Sequence, residues 1–91
     1  MALYLVSYDL HGQRVYGPLI EALDDLKAVR ALDSVWLLTY SGSAAHLRDS
    51  LQEYVDHDDS LAVVELKPGS DWATLRTKPG TGDWLSRHLR A

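Results

Sequence analysis

The sequence predicts an α+β sandwich, an antiparallel sheet with two helices on one face and a strand-and-helix tail. Three observations carry this. Short runs rich in aliphatic, β-branched and Tyr residues are separated by two segments of helical period. Their order is strand, helix, strand, helix, strand, which fits split crossovers on a single sheet. The chain has 91 residues, enough for one core and too few for the extra strands of a doubly wound fold.

Leu3 to Leu10 reads as the first strand, closed by Asp9, His11 and Gly12. Its odd and even positions are both mostly apolar, as in a central strand. From Tyr16 the period changes: Tyr16, Leu19, Ile20, Leu23 and Leu26 recur at helical spacing, with Val29 as a candidate last member. Glu21, Asp24, Asp25 and Lys27 fall on the other face, and Pro18 sits where a first turn tolerates it. Ser34 to Tyr40 is the second strand, with a short pairing segment expected around Ala31 to Asp33. Ser43 reads as the N-cap of a second helix whose stripe is Leu47, Leu51 and Val55. Asp56 to Asp59 ends it, and Ser60 to Lys67 is the third strand, stopped by Pro68 and Gly69.

The tail is less patterned. Trp72 to Thr77 fits a short edge strand, and Asp83 fits the cap of a last helix with Trp84, Leu85, His88 and Leu89 on one side. Its apolar residues are too few for a core of their own, so Trp72, Leu75, Trp84, Leu85 and Leu89 must bury against the chain's own sheet or a partner's. The organisation expected is one ferredoxin-like domain over residues 1–91, with a core in 1–67 and an extension in 68–91 that reads as a dimer contact.

Nine Lys and Arg against thirteen Asp and Glu leave a net charge of −4, which disfavours indiscriminate binding to phosphate backbones. The absence of cysteine removes disulfides, thiolate metal sites and cysteine nucleophiles, and fits a cytoplasmic protein. The opening residues lack the charged start of a signal peptide, and no apolar run approaches the ~20 residues of a membrane span, so no membrane partner is expected.

Glycine-rich phosphate loops, a Ser-centred nucleophile elbow and paired metal-binding histidines are all missing from the sequence. What remains is Asp9, at the C-terminal end of the first strand, next to Tyr8. One carboxylate is a poor site for a hard divalent cation, but two copies facing across a twofold axis can share one, with water completing the octahedron. The structural alternative is that Asp9 stops the strand and accepts turn hydrogen bonds. His11 is placed to shuttle a proton or add a ligand, or is a solvated loop residue. Asp56, His57, Asp58 and Asp59 lack the alternation and bend glycine of a calcium loop and read as a polar turn. Arg14 and Arg30 flank the first helix and are the cations able to join Asp9 in binding a phosphate. Tyr8, Trp36, Tyr40 and Trp72 are candidates for base stacking, but aromatics at strand spacing are more often core or dimer-interface residues, and no Lys or Arg is interleaved through SVWLLTY to support stacking. His46 and His88 have no acidic or histidine partner at ligand spacing.

The opening LYLVSYDL resembles the first strand of the small CRISPR-associated adaptation subunit (CRISPR-associated protein 2), whose mark is a hydrophobic strand ending in a Tyr-Asp pair, here Tyr8-Asp9. The resemblance continues through the first helix to Arg30, the Ser34-Val35-Trp36 run and the DDSLAVVEL strand, covering roughly residues 3–67. It implies a ferredoxin-like homodimer in antiviral defence, with a late strand pairing across the interface. It also implies magnesium- or manganese-dependent endonuclease activity on RNA or DNA, or a DNA-holding scaffold role. Carried over residue by residue, Asp9 is the catalytic metal ligand, Tyr8 its catalytic neighbour, and Arg14, Arg30 and Trp36 substrate-side groups. The chain departs from the family in its acidity, in Glu21, Asp24 and Asp25 on the first helix, and in lacking a Gly or Glu soon after Trp36. Those departures motivate a second reading, a non-catalytic dimeric scaffold or regulatory module that binds a protein partner or nucleic acid.

Overall fold

A computed structural model describes residues 1–11 and 17–89. Arg14 and Tyr16, assigned above to substrate binding and to the first helix, lie outside the described residues. The elements run β1 (Ala2–Asp9), α1 (Gly17–Asp25), β2 (Val29–Leu32), β3 (Val35–Tyr40), α2 (Ala44–Gln52), β4 (Ser60–Leu66) and α3 (Thr81–Leu89). The sheet order is β2-β3-β1-β4, and every neighbouring pair is antiparallel. This is the ferredoxin-like arrangement, with β1 central as its two apolar faces require.

Alternation along the strands sends side chains into two layers. Tyr4, Val6 and Tyr8 of β1 join Trp36 and Leu38 of β3 against Leu19 and Leu23 of α1 and Leu47 and Leu51 of α2. On the opposite face Leu3, Ala31 and Leu37 pack with Trp84, Leu85 and Leu89 of α3. The α3 residues of the tail therefore bury against the chain's own sheet within one protomer, whereas Trp72, at 36%, and Leu75, at 71%, stay exposed, against the expectation that they bury too. Because α3 lies over the β2 and β3 side, Ser7, Asp9, Ser60, Ala62 and Val64 form a strip on the β1 and β4 side; Val64 is 52% exposed.

Four local expectations are corrected. Val29 belongs to β2 and not to the first helix, because α1 closes in a Schellman turn: Lys27 N–H donates to the Asp24 carbonyl and Ala28 N–H to the Leu23 carbonyl, with Lys27 at φ 61°. The pairing segment consequently begins at Val29 and ends at Leu32, earlier than Ala31 to Asp33. Trp72 to Thr77 is not a strand; Arg76 has φ 56°, which breaks an extended run, and among the described residues no strand pairs with it. In α3 the first helical bond runs from Trp84 N–H to the Gly80 carbonyl, so Gly80, at φ 91°, takes the cap position and Asp83 falls inside the first turn. Ser43 does cap α2, its side chain accepting from His46 N–H at 3.1 Å. Among the described residues no helix is long and apolar enough to cross a membrane.

Candidate functional site

Asp9 is the last residue of β1, exposed, and directly opposite Ser60 of β4. Its side chain falls on the strip that α3 leaves uncovered. A shallow depression of about 190 Å³ follows the β1 and β4 ends, lined by Ser7, Tyr8, Asp9, Ser60, Leu61 and Ala62. The flanking Ser7, Ser60 and Ala62 are small, so the carboxylate stands clear of bulky neighbours on its own face. That leaves room for a second protein surface and for hydrated ions, which an oxygen donor of this kind suits.

Tyr8 points the other way. Its ring is buried with the α1 and α2 layer; its hydroxyl accepts from Trp36 Nε1 at 3.0 Å and donates to the Asp33 carbonyl at 3.2 Å. Tyr8 and Asp9 are adjacent in sequence but on opposite faces of the sheet, so the phenol does not stand beside the carboxylate. Trp36, expected on the substrate side, is 2% exposed and offers no ring face to a ligand; sequence reading weighed the core position for it, and that is where it lies. Arg30 pairs with Trp36 across β2 and β3 and sits 5.3 Å from its ring centre. Its guanidinium donates from Nε and Nη2 to the Asp33 carbonyl, at 3.1 and 2.7 Å. The Asp33 carbonyl thus gathers Tyr8 and Arg30, tying down the β2–β3 turn behind Asp9. Arg30 is held there by local geometry and on the face opposite Asp9.

The α2–β4 turn lies at the same end of the sheet. Asp59 Oδ2 accepts from Asp56 N–H at 2.8 Å and its Oδ1 from His11 N–H at 2.9 Å, joining the turn to the end of β1. One carboxylate oxygen from each of Asp56, Asp58 and Asp59 lies within 4.8 Å of the others. The Asp59 bonds close the turn as a capped polar loop and use the backbone of His11.

Asp33 carries a carboxyl whose titration is displaced by a neighbouring cation. The Lys78 ammonium, 3.1 Å from its Oδ1, hydrogen-bonds to the carboxylate and attracts it, holding its pKa below the ordinary value. At the opposite end of the sheet Tyr40 Oη and His46 Nδ1 are 2.6 Å apart with their rings stacked. Sequence reading missed this pair because it sought acidic or histidine partners for His46. The available signal was Gly42 between them, where an added Cβ would come within 2.7 Å of the Tyr40 ring. Tyr4 completes that corner, donating to the Gly42 carbonyl at 2.8 Å.

An apolar cleft of about 270 Å³ opens between the outer sheet face, residues 70–77 and α3, with Leu5, Leu37, Leu66, Trp72, Leu85 and Leu89 among its walls. No known family's sequence pattern matches the chain, and no solved structure matches it.

Proposed function

We propose that the protein works as a homodimer of the CRISPR adaptation-subunit type, hydrolysing phosphodiester bonds of RNA or DNA with a divalent metal held by Asp9 from each copy. The observation that supports this reading is the exposed Asp9 carboxylate on the uncovered β1 and β4 strip, among small side chains. Two such strips placed face to face about a twofold axis bring the Asp9 side chains together, while α3 of each copy stays clear over β2 and β3. Paired carboxylates and water form the oxygen set that magnesium or manganese prefers. When bound, such a cation lowers the pKa of water and offsets phosphate charge, so that water adds across the P–O bond. Asp9 would hold and orient that group. Tyr8 would act through position alone, fixing the end of β1 through its bonds to Trp36 and Asp33.

The second reading is a non-catalytic dimeric scaffold or regulatory module. What favours it is that Tyr8, Trp36 and Arg30 are all engaged within the protomer, so among these described candidates only Asp9 faces outward. The net charge of −4 also suits a protein partner better than a nucleic-acid backbone.

Labelled RNA and duplex DNA are to be incubated with wild type and with Asp9→Ala, with magnesium, with manganese and with chelator. The expected result is metal-dependent cleavage lost in Asp9→Ala. Cleavage that survives the substitution rules out the Asp9 assignment, and binding without cleavage by wild type selects the scaffold reading.

A further inference from the structure

The two edges of the sheet are treated differently. The β2 edge is four residues long, its register shifts between Arg30 and Leu32, and the tail crosses it: Lys78 N–H donates to the Ala31 carbonyl at 2.9 Å and Lys78 Nζ bridges Asp33. Shortness, irregularity and a covering segment are what keep an edge from pairing with another chain. The β4 edge has none of these. It runs seven residues, Ser60–Leu66, without proline, and Glu65 is its one charge. Among the described residues no backbone group other than those of β1 pairs with it.

We propose that β4 is a contact through which two copies of this chain pair, antiparallel about Val63, into one continuous sheet. The sequence of the strand is self-complementary in that register. Val63 meets the partner's Val63, Ala62 meets the partner's Val64, and Leu61 meets the partner's Glu65, so the two glutamates are kept apart. The flanks carry opposite charge. Asp56, Asp58 and Asp59 precede the strand as a negative patch, and Lys67 follows it, exposed and 3.0 Å from Glu65. Antiparallel pairing sets Lys67 opposite the partner's Asp59 on both sides of the axis, and opposite charges facing across strands favour the register. A parallel pairing would set the acidic flanks against each other. This complementarity is what selects a second copy as the occupant of the edge over an unrelated extended peptide.

The contact is distinct from the one invoked for Asp9. With the axis at Val63 the two Asp9 residues stand roughly 25 Å apart, from strand spacing and rise. The edge contact is therefore separate from the Asp9 contact.

The test uses the native chain. Isotope-labelled and unlabelled protein are mixed, treated with a carbodiimide that joins amines to carboxylates, digested and mapped by mass spectrometry. The expected product is a mixed-isotope link from Lys67 to Asp59 or Asp58. Sedimentation of Lys67→Glu, an exposed change that leaves the core intact, is expected to show about tenfold weaker association. Asp9→Ala is expected to keep the link, whatever happens to cleavage, which separates failure of this contact from failure of the Asp9 reading. Intermolecular links confined to α3 or the Asp9 strip, unchanged association of Lys67→Glu, loss of the link in Asp9→Ala, or a chain monomeric at about 100 µM each overturn the proposal.

Discussion

The Trp36 indole N–H donates to the Tyr8 hydroxyl, and that hydroxyl donates in turn to the Asp33 carbonyl. A buried donor on β3 is thereby satisfied through β1 and linked to the turn between β2 and β3. Tyr8→Phe keeps the ring and removes the oxygen, leaving the Trp36 N–H without its acceptor. An unsatisfied buried donor costs roughly 1 to 3 kcal/mol, and urea unfolding is expected to show a loss in that range with unchanged slope. A neutral result would mean that the indole finds another acceptor.

Lys27 holds a left-handed backbone conformation at the end of α1, the position where glycine carries no Cβ penalty. Lys27→Gly is expected to stabilise the protein by about 0.5 to 1 kcal/mol, relief of strain outweighing the greater freedom of the unfolded chain. Thermal unfolding checks the sign.

Leu85 faces the outer sheet layer from α3 and is 7% exposed. Leu85→Ala removes apolar contact on both the Leu37 side and the cleft, and is expected to cost about 2 to 4 kcal/mol in urea unfolding. A cost below 1 kcal/mol would indicate that α3 does not stay docked on the sheet.

Asp33 and Lys78 make a pH-dependent pair. Because the folded-state pKa of Asp33 is lowered, its contribution is present above the unfolded carboxylate value and is lost as pH falls through the folded one. Lys78→Ala is expected to raise the Asp33 titration midpoint toward the ordinary carboxylate value. Carbon-detected NMR of the Asp33 side chain between pH 2 and about 6 reads this directly; an unmoved midpoint excludes Lys78 as the cause.

The residues by themselves determined the elements and their order. Aliphatic runs closed by Asp9, by Ser41 and Gly42, and by Pro68 and Gly69 marked β1, β3 and β4, and the stripes Leu19-Leu23 and Leu47-Leu51 marked the helices, because period and punctuation are local properties of a chain. Asp9 as an outward carboxylate was legible for the same reason: it ends a strand. Only the tertiary structure decided which face each candidate occupies. Strand alternation sends Tyr8 inward and Asp9 outward, and a hydrogen-bond circuit through Asp33 closes over Trp36 and Arg30, which lie more than twenty residues along the chain from Tyr8. The tail was decided the same way. Trp72 to Thr77 has a strand's composition, yet Arg76 at φ 56° breaks the extended run, and the segment lies beside α3 along the outer face of the sheet. Docking α3 onto Leu3, Ala31 and Leu37 satisfies Trp84, Leu85 and Leu89, a burial that depends on residues some fifty to eighty positions away, beyond the reach of any sequence window.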